Sequence, residues 1–317
     1  MNATNRAREV TMTPASPTQN HNVQRSATEG FISIAALWIL GALCLLSSIY
    51  AVYVINTASA FAVYDDHLKA EGLISAALEL TAYQQQTESA QSRPTHGVFG
   101  FRMGQAKVDV QFSSEAARID LNTAPKQLLS GLLATLGARP DNADVYADRI
   151  IGWRTPQQGD KDAEASAYRM AHLGYQPRFG KFPHPNELSL VRDLPTSLVE
   201  RALPFLTVYS GRPQVNVIDA APEVVASLPG MTQERLNAFL LQRKVSPENA
   251  KQLLPAEAQQ YATLEASQTF RVKVRVNFDN SHIENAEVII LFFEEGDKPF
   301  AVLSWRDDTE TIAGSTP

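Results

Sequence analysis

Apolar and polar positions divide this chain into regimes with different periods. From Phe31 to Ile55 the run FISIAALWILGALCLLSSIYAVYVI carries no charge, and no Asp, Glu, Lys or Arg occurs between Glu29 and Asp65. A helix of about 25 residues, rising about 1.5 Å per residue, spans a hydrocarbon layer of about 30 Å. A helix that is apolar on every face needs lipid, not a protein core, to cover it. The pattern then turns amphipathic. Leu68, Leu73, Ala76, Ala77, Leu80 and Tyr83 recur at helical spacing, while Asp65, Asp66, Lys69 and Glu71 take other faces. The spacing predicts one helix that starts near Phe31, leaves the membrane near Tyr53 and ends near Gln86.

Beyond a polar stretch holding Pro94, the period changes to two. Val98, Phe99 and Phe101 lead into a turn at Gly104-Gln105, and Val108, Val110 and Phe112 alternate after it, which predicts a hairpin. Near the C-terminus, FRVKVRVNF places Phe270, Val272, Val274, Val276 and Phe278 on one face. Glu287–Phe293 reads as a buried strand, Glu295-Gly296-Asp297 as a turn and Phe300–Trp305 as a last strand. Strands therefore bracket a long middle, about 119–265, with a helical pattern. The class is α+β.

The middle opens twice in a similar way. Ile119-Asp120-Leu121-Asn122-Thr123-Ala124-Pro125 precedes Lys126-Gln127-Leu128-Leu129, and Asn216-Val217-Ile218-Asp219-Ala220-Ala221-Pro222 precedes Glu223-Val224-Val225. Aligned on their prolines, both offer a helix start. Asn122 and Asp219 suit N-caps, which accept amide protons of a first turn. Pro125 and Pro222 fall where a missing N–H costs no helical bond. Helices are predicted at about 126–136, 143–154, 196–206, 222–228 and 232–243.

Composition narrows the functions available. The 317 residues allow two or three domains, and a net charge of −6 disfavours a protein whose main affinity is for phosphate backbones. The one cysteine, Cys44, lies in the apolar run, so no intramolecular disulfide holds the fold. Residues 1–28 are polar and read as disordered. Arg6, Arg8 and Arg25 precede the span and acidic residues follow it, which favours an N-terminus inside. A secretory signal cleaved at Ala58-Ser59-Ala60 is a rival, but the apolar run is about twice the usual length.

Catalysis has no constellation to stand on: six histidines are scattered, and no metalloprotease, serine-hydrolase or phosphate-loop motif occurs. Trp153 and Trp305 read as core residues. Asp160, Asp162 and Glu164 alternate in a loop, and hard oxygen donors so spaced suit Ca²⁺; a solvated acidic loop is the plainer alternative. The segment Leu228-Pro229-Gly230-Met231, with Arg235, Arg243 and Lys244 near it, resembles helix-hairpin-helix DNA-binding units, in which hairpin amides hold a phosphate. Against that, Met231-Thr232 replaces the usual second glycine, and Glu223 and Glu234 offset the basic residues.

Several stretches together carry a wider resemblance. They are Gly30-Phe31 followed at once by the apolar run, the I-D-L-N-T-A-P opening, Ile150-Ile151-Gly152-Trp153-Arg154, Asn186–Val191, Phe205–Ser210 and Val302–Arg306. In combination they resemble the K-type minor pseudopilin of type II secretion systems (general secretion pathway protein K). The resemblance implies cleavage by a prepilin peptidase between Gly30 and Phe31. It also implies a calcium-binding acidic loop after the Trp-Arg pair, here Asp160, Asp162 and Glu164, though Thr155–Gln158 depart from the pattern. Most pseudopilins carry Glu at the fifth mature position; Ala35 stands here, as in the K type, where a tip subunit has no neighbour above to pair with.

The implied fold is a long N-terminal helix packed on a small antiparallel sheet, with a large α-helical insertion of two units, the second like a sterile-alpha-motif domain. The expected division is a leader over 1–30, a membrane half-helix over 31–55, and a pilin-like helix with first strands over 56–118. The insertion units follow at 119–213 and 214–265, then the last strands at 266–307 and a tail at 308–317. The implied role is at the tip of a periplasmic pseudopilus, without enzyme activity, in the inner membrane with the N-terminus cytoplasmic. Implied partners are I-type and J-type minor pseudopilins, the major pseudopilin, the prepilin peptidase and the inner-membrane assembly platform, with no nucleic acid. The competing expectation is a single-pass periplasmic module that binds DNA.

Overall fold

The computed structural model describes residues 29–86, 93–156, 163–293 and 298–307. The polar tail, Asp160, Asp162, the turn at Glu295–Asp297 and the C-terminal tail lie outside these residues. The described chain divides into two compact units, one up to Tyr64 and one from Asp65. Helix α1 (Glu29–Gln86) contributes to both.

In the first unit α1 stands without a protein core. Leu37, Trp38, Leu43, Leu46, Ile49 and Tyr50 are all exposed, and they point around the whole helix. Among the described residues this is one helix long and apolar enough to cross a membrane.

In the second unit five antiparallel strands form a sheet in the order β1 (His96–Met103), β2 (Ala106–Ser114), β7 (Thr269–Phe278), β8 (Ile283–Phe292) and β9 (Phe300–Asp307). Alternation selects the faces. Val110, Val274 and Ala286 form one cross-strand row, and Phe112, Val272 and Val288 the next. These rows pack with Leu73, Ile74, Ala77, Leu78 and Ala82 of α1, all buried. The buried stripe of α1 differs from the expected one: Leu68, Leu80 and Tyr83 are exposed, while Thr81 and Gln85 are buried. Thr81 tolerates burial because its hydroxyl donates to the Ala77 carbonyl at 2.8 Å. Trp305 also departs from expectation. It lies on edge strand β9, 38% exposed, with Nε1 donating to Asp307 Oδ1 at 2.8 Å.

Between β2 and β7 the chain builds the helical insertion. Its helices are α2 (Lys126–Thr135), α3 (Pro140–Arg154), α4 (Ala163–Met170), α5 (Thr196–Ala202), α6 (Pro222–Ala226) and α7 (Gln233–Val245). The sequence pattern missed α4. The predicted helix over 196–206 stops at Ala202, and a 3-10 turn, Leu203–Phe205, follows; Pro204 has no N–H to continue the helix. One hydrophobic core runs through the whole insertion, from Ile119 to Ala262. The helices pack closely: a Cβ on Gly131 in α2 would collide with the Ser227 carbonyl after α6.

Candidate functional site

The two openings of the insertion are built on one scheme, and their register corrects the expected caps. Strand β3 (Ile119–Asp120) pairs in parallel with β4 (Leu206–Thr207), and β5 (Val215–Asn216) with β6 (Ala262–Thr263). In each unit the last residue of the first strand makes an Asx turn. Asp120 Oδ1 accepts from Asn122 N at 2.7 Å, and Asn216 Oδ1 from Ile218 N at 2.9 Å. The same two residues accept through their carbonyls from Ala124 and Ala220. Downstream, an arginine closes each turn. Arg154, at the end of α3, donates to the carbonyls of Leu121 and, at 2.6 Å, Ala124. Arg243, in the last turn of α7, donates to Val217 at 3.0 Å and Ala220 at 2.7 Å.

The N-caps are therefore Pro125 and Ala221, neither with a side-chain bond, and the matching positions are Asp120 and Asn216. Pro222 sits one residue further into its helix than Pro125. Asn122 and Asp219 are not caps. The Asn122 side chain accepts from Phe182 N at 2.7 Å and donates to Phe182 O at 3.0 Å, pinning a distant loop. Asp219 pairs with His96 Nδ1 at 2.6 Å and is 7% exposed, which ties the second helical unit of the insertion to β1. Proline spacing misled the alignment because helices accept proline at more than one first-turn position.

Two of the basic residues near the hairpin, Arg243 and Arg235, are turned to other uses. Arg243 is engaged as above, and Arg235 donates to the Gly230 carbonyl at 2.9 Å. Gly230 has φ +70°, and the Glu257 carboxylate fills the place of its absent Cβ. An acidic group over the hairpin opposes a phosphate there.

The face of the sheet turned away from α1 carries an ionic network that sequence reading did not find. Glu115, fully buried, accepts from Arg271 Nε at 2.7 Å and Arg118 Nη1 at 3.2 Å, and Thr207 donates its hydroxyl to the other oxygen. Arg271 also reaches Glu287 at 2.6 Å, where Arg306 joins at 2.7 Å. Burial pushes the Glu115 carboxyl up, but the Arg271 and Arg118 charges and these hydrogen bonds outweigh it and hold it below its ordinary range. Asp120 goes the other way: burial raises it, and donors from Gly211 and Asn122 only partly offset that.

Of the processing residues, Gly30 and Phe31 lie in the first turn of α1. Of the acidic loop, Glu164 is described, at the start of α4, with its side chain packed on Gly152 of α3. Among the described residues no group of three His, Cys, Asp or Glu side chains is arranged to hold a metal ion. Trp153 is buried against Tyr168 and Phe182, and its Nε1 donates to Glu187 Oε1 at 2.9 Å.

Residues 110–211, from β2 through the first helical unit, match the family model described as Type II secretion system (T2SS), protein K. No curated protein sequence matches the chain. Among solved structures the chain is similar to one in the crystal structure of the GspK-GspI-GspJ complex from the enterotoxigenic Escherichia coli type 2 secretion system. The TM-score is 0.53 at 15% identity, over 78% of this chain and 98% of that one. At that identity the likeness speaks for the fold.

Proposed function

We propose that the chain is a minor pseudopilin of the protein K type of type II secretion and that it caps a periplasmic pseudopilus. The Phe31–Ile55 run holds it in the inner membrane, with the N-terminus cytoplasmic and the part from Asp65 onward periplasmic. A prepilin peptidase cuts between Gly30 and Phe31. Minor pseudopilins of the I and J types are its immediate partners, as the assembly named for the similar structure suggests. The major pseudopilin and the inner-membrane assembly platform act on the same filament. Its work is assembly, not chemistry.

One observation carries the reading. A helical module of two like units, sharing one core, is inserted between strands β2 and β7, which are direct neighbours in the sheet. A module of that bulk suits a subunit used once, at an end, better than one repeated along a thin filament. Ala35 agrees, since an end subunit needs no buried carboxylate for a neighbour ahead of it. Calcium at Asp160, Asp162 and Glu164 belongs to the same proposal, and a calcium-dependent rise in melting temperature would support it.

Co-expression tests the partner assignment. Tagged full-length protein extracted from membranes should retain I-type and J-type pseudopilins through size exclusion. Elution alone, with salt-dependent retention on a DNA column, would replace this reading with the membrane-anchored DNA-binding module.

A further inference from the structure

Alternation along β7 places Arg271 and Lys273 on the sheet face away from α1. The register then builds two rows there. Arg271 faces Ile289, which faces Ser304; Lys273 faces Glu287, which faces Arg306. Arg118, from the segment entering the insertion, and Tyr209, from beyond β4, close over these rows. Together they line a crevice of about 370 Å³.

Among the described residues the charges in this crevice do not balance. Four permanent cations, Arg118, Arg271, Lys273 and Arg306, share two carboxylates. Glu115 is wholly buried behind the crevice wall, and Glu287 is 9% exposed. Both are already committed: Arg271 Nη1 and Arg306 Nη2 meet on the same Glu287 oxygen. A guanidinium has five N–H donors and an ammonium three, so these four side chains bring far more donors than are accepted by two carboxylates and by the Pro204 carbonyl, which takes Arg118 Nε at 3.2 Å. The excess lies in a chain whose net charge is −6. Burial and the neighbouring Arg271 both press on the charged form of Arg118.

We propose that this crevice is an anion-binding site that takes a carboxylate. A planar oxyanion fits the fork of a guanidinium and supplies the missing acceptors, and the volume suits a small di- or tricarboxylate or one acidic side chain. Lys273 and Arg306 stand at its mouth, 47% and 61% exposed, while Arg271 forms its floor at 14%. The inference stands apart from the secretion reading, since it rests on this face of the sheet alone.

The test uses full-length protein in neutral detergent, titrated calorimetrically with citrate and with a pentaglutamate peptide at ionic strength fixed by NaCl. Binding of citrate is expected to saturate at one site. Arg306→Gln and Lys273→Gln should each weaken it about tenfold or more, the loss of one charge-assisted contact. Lys107→Gln, at a lysine of β2 that is 62% exposed and outside the crevice lining, should not. Tighter binding of the peptide than of citrate would assign the site to a protein-borne carboxylate; the reverse order would assign it to a free anion. Heats no larger than those of added NaCl, or undiminished citrate binding in both crevice variants, would overturn the proposal. Both substituted side chains are at the surface, so the variants should fold.

Discussion

Arg243 stands to the second helical unit as Arg154 stands to the first. Each guanidinium reaches back from the end of a helix to two carbonyls of the turn that opens its own unit, Val217 and Ala220 in one case and Leu121 and Ala124 in the other. Burial lowers the pKa of both, but an arginine stays charged throughout the accessible pH range, so these are permanent charge-assisted bonds. Replacing either with leucine leaves two turn carbonyls without a protein donor. Arg154→Leu and Arg243→Leu should each cost about 2–4 kcal/mol in urea unfolding. A cost near zero would mean that water replaces the guanidinium freely.

Two helical glycines should respond to alanine with opposite signs. Gly72 in α1 has open space where a Cβ would go, so Gly72→Ala should gain up to about 1 kcal/mol from propensity. Gly131 in α2 faces the Ser227 carbonyl backbone, so Gly131→Ala should lose about 1–3 kcal/mol by overpacking. Thermal unfolding of the pair checks both directions at once.

Glu115 should dominate the acid response. Its carboxyl is held below its ordinary value of 4.5 in the folded state, so it contributes stability that is fully present above that pH. The contribution fades as pH falls through the depressed folded value. Asp120 has the opposite sign: its folded pKa is raised above 3.8, so protonation relieves a cost instead of adding one. The wild-type melting temperature should therefore fall below about pH 4.5, and Glu115→Gln should flatten that fall. At pH 7, Glu115→Gln should cost about 3–5 kcal/mol, because Arg271 and Arg118 lose a buried counter-charge.

How much of this was legible in the sequence varies with the range of the interaction. The strands around Val108–Phe112 and Phe270–Phe278 were legible, because alternation is local and one face is wholly apolar. The apolar half of α1 was legible by length alone. The buried stripe of its other half was not, because polar Thr81 and Gln85 take core places that a hydrophobicity pattern assigns elsewhere. The turn chemistry was half legible. The recurring proline marked both helix starts, but the residues that organise the turns, Asp120 and Asn216, lie further upstream than a cap search looks. Arg154 stood inside a recognised motif without a visible role until its acceptors were placed. The basic crevice was invisible: Arg118, Arg271 and Arg306 come from three distant segments, and it takes the sheet register of β7, β8 and β9, with the turn carrying Arg118 folded over it, to bring them together.

The most direct test of the pseudopilin assignment is the N-terminus of the mature protein, read by mass spectrometry after extraction from membranes. Processing by a prepilin peptidase predicts a chain that begins at Phe31, with the apolar half of α1 retained. A chain beginning near Phe61, or one still carrying Met1, would contradict it.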